Sequence, residues 1–218
     1  MDLKNFPWEM LLLGYPVLLL ALTVHESAHA WTADKFGDST ARHMGRISLN
    51  PIVHMDIFGT VLFPIFAMIT GFPLIGWAKP VPVNTRFLQN PSRDNMFISL
   101  AGPFSNVLLA LGLFLLLVFL SLSGLLAALP PSVERPVHII LHFGVLINVL
   151  LAIFNMIPVP PLDGSHVLEH FLPYQWAEKY EMIKPYGFLI ILVLFYAGLF
   201  RLIIMPVWNV LSVILAMF

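Results

Sequence analysis

His25 and His29 stand four residues apart, with Glu26 beside the first, inside an apolar run from Met10 to Trp31. On a helix, positions i and i+4 share a face, so both imidazoles can point at one cation. Glu26 projects at an adjacent angle, close enough to handle a water bound to that cation. Imidazole nitrogen suits zinc, and a catalytic zinc site keeps one position open for water. The chemistry predicted is metal-assisted hydrolysis. The five-residue pattern leaves two positions free and recurs by chance, but its setting sharpens it. An Asp or Lys at the centre of a membrane helix costs about 2.5–3.5 kcal/mol, and such groups usually mark function. Two His and one Glu in such a helix need a compensating partner, and a divalent cation is one. The plainer alternative is a polar helix end hydrogen-bonded to its neighbours.

Composition says what must carry these groups. The 218 residues are 59% hydrophobic and only 11% charged, with a mean hydropathy of +0.87. A soluble domain carries about 25% charge. The expectation is one membrane-embedded domain over residues 1–218, all-α, with five or six transmembrane helices of about 20 residues. The lipid bilayer is then its main surroundings, and the cell membrane its expected location. A net charge of −1 offers nothing to nucleic acid. The chain has no cysteine, so metal ligands must come from His, Asp and Glu. Lys4 is accompanied by Asp2 and Glu9, which does not read as a signal peptide.

The predicted spans begin with Trp8–Trp31, carrying a Trp near each end as an interfacial anchor. A polar loop follows over 38–56, with His54 and Asp56 just before the next apolar run. They are candidates to support the ligands or touch a substrate, and plain interfacial residues on the simpler view. Ile57–Ile69 is a short second span, broken by Pro64 and ended by Gly71 and Pro73. Alternating prolines in Gly76–Asn84 forbid regular helix and favour extended backbone. This predicts a re-entrant or extended loop, tolerable at membrane depth only where protein or a water cavity satisfies its backbone. Such an edge could pair with an extended substrate. The third span is predicted from Asn95 to about Leu129, a loop at Pro130–Pro136, and a fourth span over Val137–Phe154. His138 and His142 share the i, i+4 spacing but lack an acidic companion and read as interfacial. An amphipathic stretch, Pro173–Lys184, leads to spans at Pro185–Phe200 and Leu202–Phe218, or one bent element. The 11 basic residues divide six against five between the two sides of a six-span topology, which leaves orientation open.

Three prolines in Asn155–Gly164 break the chain within apolar sequence and leave one carboxylate there, Asp163. That makes Asp163 the favoured third ligand. His166 and His170 compete from the helix beyond it.

His25-Glu26-x-x-His29, Ala101-Gly102-Pro103 followed by Asn106, and Asn155-x-x-Pro158-x-x-Pro161-Leu162-Asp163-Gly164 together resemble the site-2 protease family of intramembrane zinc metalloproteases (peptidase family M50). Pro80-Val81-Pro82-Val83-Asn84 is similar to that family's loop between the second and third helices. The resemblance covers most of residues 20–170 and points to a compact member without a PDZ or CBS domain. It implies His25, His29 and Asp163 as ligands of one zinc ion, Glu26 as general base, and Asn106 and Asn155 as substrate-orienting groups. Asn84 and His54 join them as further substrate-contact candidates. The substrate it implies is a transmembrane segment of another protein. A metal transporter using His and Asp as transient ligands is the alternative from another class, as is a membrane protein that binds metal without proteolysis. A zincin with Glu169, Glu178 or Glu181 as third ligand is a further variant.

Overall fold

A computed structural model of the chain describes residues 10–70 and 76–218. Among them there are helices and connecting turns and no strand. The helices are α1 (Tyr15–Lys35), the short α2 (Thr40–His43), α3 (Phe63–Thr70), α4 (Pro91–Leu122), α5 (Pro131–Asn155), α6 (Asp163–Phe171), α7 (Tyr174–Glu181), α8 (Gly187–Tyr196) and α9 (Leu199–Leu215). The anchor Trp8 and the helix-ending Gly71 and Pro73 lie outside the described residues.

Among the described residues, α4 and α5 are long and apolar enough to cross a membrane. Lys184–Tyr196 and Leu199–Leu215, bent by 64° at their break, make a third span if taken together. The break falls at Gly198, whose φ of 76° suits glycine. With 21 residues, α1 is about 31 Å long, but His25, Glu26 and His29 dilute its apolar character. Ile57–Phe66 is apolar but short.

The starts of α4 and α5 differ from the sequence expectation, both through proline. Helix α4 starts at Pro91 rather than Asn95, and α5 at Pro131 rather than Val137. Proline at the first helical position loses no hydrogen bond, because that N–H has no partner within the helix. Pro136 sits one turn further in, so the predicted Pro130–Pro136 loop is mostly helix. At its other end α4 stops at Leu122, before Gly124 with φ 72°.

The bundle is built inside out relative to a soluble one. Helix α4 exposes Phe104, Leu108, Leu111, Leu115, Phe119 and Leu122, a stripe at three- and four-residue spacing. An uncovered apolar stripe of this length fits lipid. Its opposite face buries Ser99, Gly102, Asn106 and Ala110 against α1, α5 and α6. Small residues there, with Ala21, Ala30 and Ala33 of α1, let backbones approach closely. Beyond this polar middle, Leu117, Leu126, Leu141, Val145 and Leu215 form an apolar cluster closed by Phe114 and Phe218.

The exit from α1 fixes the segment that follows. Gly37 turns the chain with φ 105°. The buried Asp38 then accepts hydrogen bonds from the amides of Thr40 at 3.0 Å and Asn84 at 2.6 Å. Residues 76–84 are thereby tied at one end. Within them every second amide from Trp77 to Val81 is bonded to the protein. Trp77 N–H donates to the Gly59 carbonyl at 3.2 Å and Lys79 N–H to the His54 carbonyl at 2.8 Å. Val81 N–H donates to Glu26 Oε2 at 3.1 Å.

On the far side, Lys184 bridges Glu169, at 3.2 Å, and Glu181. Tyr180 donates to the Pro158 carbonyl at 3.0 Å and so holds the proline break against α7. Burial, with help from the Glu169 charge, pushes the Tyr180 phenol up from its usual pKa. Tyr174 and Trp176 on α7 point outward, as interfacial aromatics do.

Candidate metal centre

Helix α1 delivers both imidazoles from one face, and α6 delivers Asp163 from its first turn. His25 Nε2 and His29 Nε2 are 3.0 Å apart. Asp163 Oδ2 lies 3.1 Å from the first, and Oδ1 3.3 Å from the second. Donors around a tetrahedral zinc with bonds of about 2.0–2.1 Å sit about 3.3 Å from one another. These three residues form the only such cluster of His, Asp and Glu among the described residues.

The other ring nitrogens settle what the Nε2 atoms offer. His29 Nδ1–H donates to the Ile98 carbonyl at 2.7 Å. His25 Nδ1–H donates to Asn106 Oδ1 at 2.6 Å. With each Nδ1 a donor, each neutral ring presents a lone pair at Nε2. Two lone pairs and a carboxylate then converge, and they demand a proton or a cation among them. Asp163 Oδ2 is buried with no hydrogen-bond partner, although His25 Nε2 is within reach. Two nitrogens and one carboxylate are a donor set that suits zinc. The residues present therefore fit the ion.

The space for it is kept by Gly102. A Cβ built there would stand 2.6 Å from His25 Nε2 and closer still to His29 Nε2. Gly102→Ala is expected to weaken zinc binding roughly 5–100-fold, since overpacking costs about 1–3 kcal/mol and about 1.4 kcal/mol is tenfold. Zinc content after dialysis against a graded chelator series measures it.

Glu26 lies beside the cluster in the wall of a cavity of about 510 Å³. That is a usual size for a binding site. Its Oε2 takes the Val81 amide, and no other hydrogen bond reaches the carboxylate among the described residues. The 76–83 segment forms one wall of the cavity, and α1, α4, the end of α5 and the start of α6 form most of the rest. Asn155 faces the same space, with Nδ2 donating to the Leu151 carbonyl at 3.0 Å.

The other candidates stand outside the cluster. Asn106 is fully buried behind His25. Asn84 spends its side-chain oxygen on the Arg86 amide at 3.2 Å. His54 is buried below the extended segment, with Nε2 2.9 Å from the Ser48 carbonyl and Nδ1 unpartnered. His166 lines the cavity but is directed to Glu169, 3.5 Å away. His170 pairs with Ser92 at 2.9 Å, away from the cluster. Glu169 and Glu181 are held by Lys184. His138 and His142 stack on each other with ring centroids 3.8 Å apart. His142 bonds to the Leu215 carbonyl at 3.1 Å.

Sequence reasoning passes over Asn148, which bonds to Asn106 at 2.8 Å. The signal is present all the same: a lone amide in the middle of an apolar span rarely lacks a partner.

The profile of Peptidase family M50 matches residues 14–143 and 132–195. Among curated proteins, the chain is 40% identical over 194 residues to "Putative zinc metalloprotease YwhC" of Bacillus subtilis, covering 88% of this chain and 84% of that one. It is 30% identical over 183 residues to Rip2 of Mycolicibacterium smegmatis, which bears the same description. That match covers 81% of this chain and 63% of Rip2, so the chain spans just under two thirds of that relative. It is also 40% identical over 84 residues to MJ0611 of Methanocaldococcus jannaschii, again so described. No solved structure matches the chain significantly.

Proposed function

The chain belongs to peptidase family M50, and from that premise we propose that it hydrolyses a peptide bond in or near a transmembrane segment of another membrane protein. It is a zinc metalloprotease by family. The observation that carries the finer reading is the convergence of His25, His29 and Asp163 beside Glu26, in a cavity between helices whose outer surface is apolar.

His25, His29 and Asp163 would hold the ion. Zinc there supplies Lewis acidity, which acidifies water and polarises a carbonyl. Glu26 takes the proton of the attacking water on its carboxylate and passes it to the nitrogen of the leaving amine. The Val81 amide holds Oε2, so the proton is handled at Oε1. Asn155 orients the substrate from the wall.

A substrate helix hides its carbonyls in its own hydrogen bonds and must unwind to be cut. Residues 76–84 are the edge that receives the unwound strand. Their inward amides are already bonded to the protein, and Pro80 and Pro82 have no N–H. The outward edge therefore offers carbonyls to the amides of a substrate strand.

This reading takes α1, Ile57–Thr70, α4, α5 and the bent α8–α9 pair as membrane segments. They make five spans, or six if the pair counts twice, in one domain of a multi-pass protein of the cell membrane. Zinc removal tests the enzyme against the transporter. In detergent or liposomes, cleavage of a membrane-protein substrate is expected to stop when a chelator strips the ion and to resume when zinc is returned. Cleavage that survives complete removal of zinc refutes the proposal. Rapid gradient-driven zinc flux through vesicles, without proteolysis, favours the transporter.

A further inference from the structure

Two buried amides stand behind the metal cluster in single file. Asn148 Nδ2 donates to the Gly144 carbonyl at 2.8 Å. Asn148 Oδ1 accepts from Asn106 Nδ2 at 2.8 Å, and Asn106 Nδ2 also donates to the Ala21 carbonyl at 3.2 Å. Asn106 Oδ1 accepts from His25 Nδ1 at 2.6 Å. Both side chains are fully buried.

The direction of this chain is not free. A main-chain carbonyl can only accept, so the Gly144 carbonyl fixes Asn148 with its nitrogen towards α5 and its oxygen towards Asn106. Asn106 must then turn its nitrogen to Asn148 and Ala21 and its oxygen to His25. His25 Nδ1 must carry the proton, and Nε2 is left as the lone pair facing His29 and Asp163. Reversing any member would set two donors or two acceptors face to face in a dry interior, which is costly.

We infer that Asn148 is a positioning residue of the metal site: acting through Asn106, it locks the His25 tautomer and ring orientation that zinc requires. It touches neither the cation cluster nor the cavity. The inference rests on the zinc reading of the site. It also gives Asn106 its work, behind the ligand rather than against a substrate. Such partners commonly change metal affinity by roughly 10–100-fold when removed.

The test compares wild type, Asn148→Leu and Asn148→Asp in detergent. It measures zinc affinity by chelator competition and thermal stability of the zinc-free protein. Leucine fills the same space without polarity. Aspartic acid, buried and so kept protonated, donates to Gly144 and accepts from Asn106, as asparagine does. The expected result is zinc affinity lowered roughly 10–100-fold in Asn148→Leu, with the zinc-free protein still cooperatively folded. Asn148→Asp is expected to recover most of the affinity. Histidine 15N spectra of the zinc-free proteins should show His25 protonated at Nδ1 in wild type and Asn148→Asp, and mixed tautomers in Asn148→Leu. Wild-type zinc affinity in Asn148→Leu overturns the inference, as does equal loss in both variants. If Asn148→Leu does not fold, Asn148→Asp decides alone: wild-type affinity with His25 still protonated at Nδ1 supports the inference, and lost affinity overturns it. Wild type without zinc would instead sink the zinc reading itself.

Discussion

Glu26→Gln is expected to keep its zinc and lose about 10²–10⁴-fold in cleavage rate, the usual contribution of a positioned acid–base group. The substitution is nearly isosteric. The Gln side-chain oxygen can still accept from the Val81 amide, as Glu26 Oε2 does. His25, His29 and Asp163, which would hold the ion, are untouched. What disappears is a carboxylate able to take a proton from water and return it to nitrogen. The measurement is zinc stoichiometry and cleavage of a membrane substrate on the same preparation. Undiminished cleavage by the variant would remove Glu26 from the chemistry and the protease mechanism with it.

Asp163→Ala is expected to do the reverse, losing the ion itself. The two imidazoles alone leave a site short of one donor and of the only negative charge among its candidate ligands. Zinc affinity should fall by more than the roughly 10–100-fold seen when a ligand merely loses its hydrogen-bond partner, and cleavage should drop to background. The fold should survive, because among the described residues the Asp163 carboxylate pairs with the two imidazoles alone. Zinc content by metal analysis and helicity by circular dichroism check both halves. Zinc retained at wild-type affinity would place the third ligand elsewhere. The two variants form a crossed pair: one holds zinc without turnover, the other is folded without zinc. A transport pathway or a structural metal site would not separate in that way.

The candidate ligands are legible in the sequence because their signals are local. Four-residue spacing on a helix puts His25 and His29 together whatever surrounds them, and a carboxylate in a proline break within apolar sequence has little to do there except meet a cation. The roles of Asn106 and Asn148 are harder to read, since an amide reports that it needs partners without naming them. Ile98 cannot be read at all, because it serves His29 through its main-chain carbonyl, which every residue type has. Gly102 stands within a recognisable Gly-Pro pair, but its task depends on a helix about 75 positions earlier in the chain. Helix starts at Pro91 and Pro131 escape the sequence for the opposite reason: proline reads as a breaker where it serves as an opener.

The hydrogen bond from Val81 to Glu26 makes one stretch of main chain serve two masters. The extended stretch that would cradle the substrate would also aim the base. A perturbation that slides residues 80–82 sideways therefore displaces the proton acceptor along with the docking rail. An ångström of misplacement can cost about 10²-fold in rate. Changes to this rail should register in turnover number as well as in Michaelis constant, and poorly seated sequences would be cut slowly even when they bind.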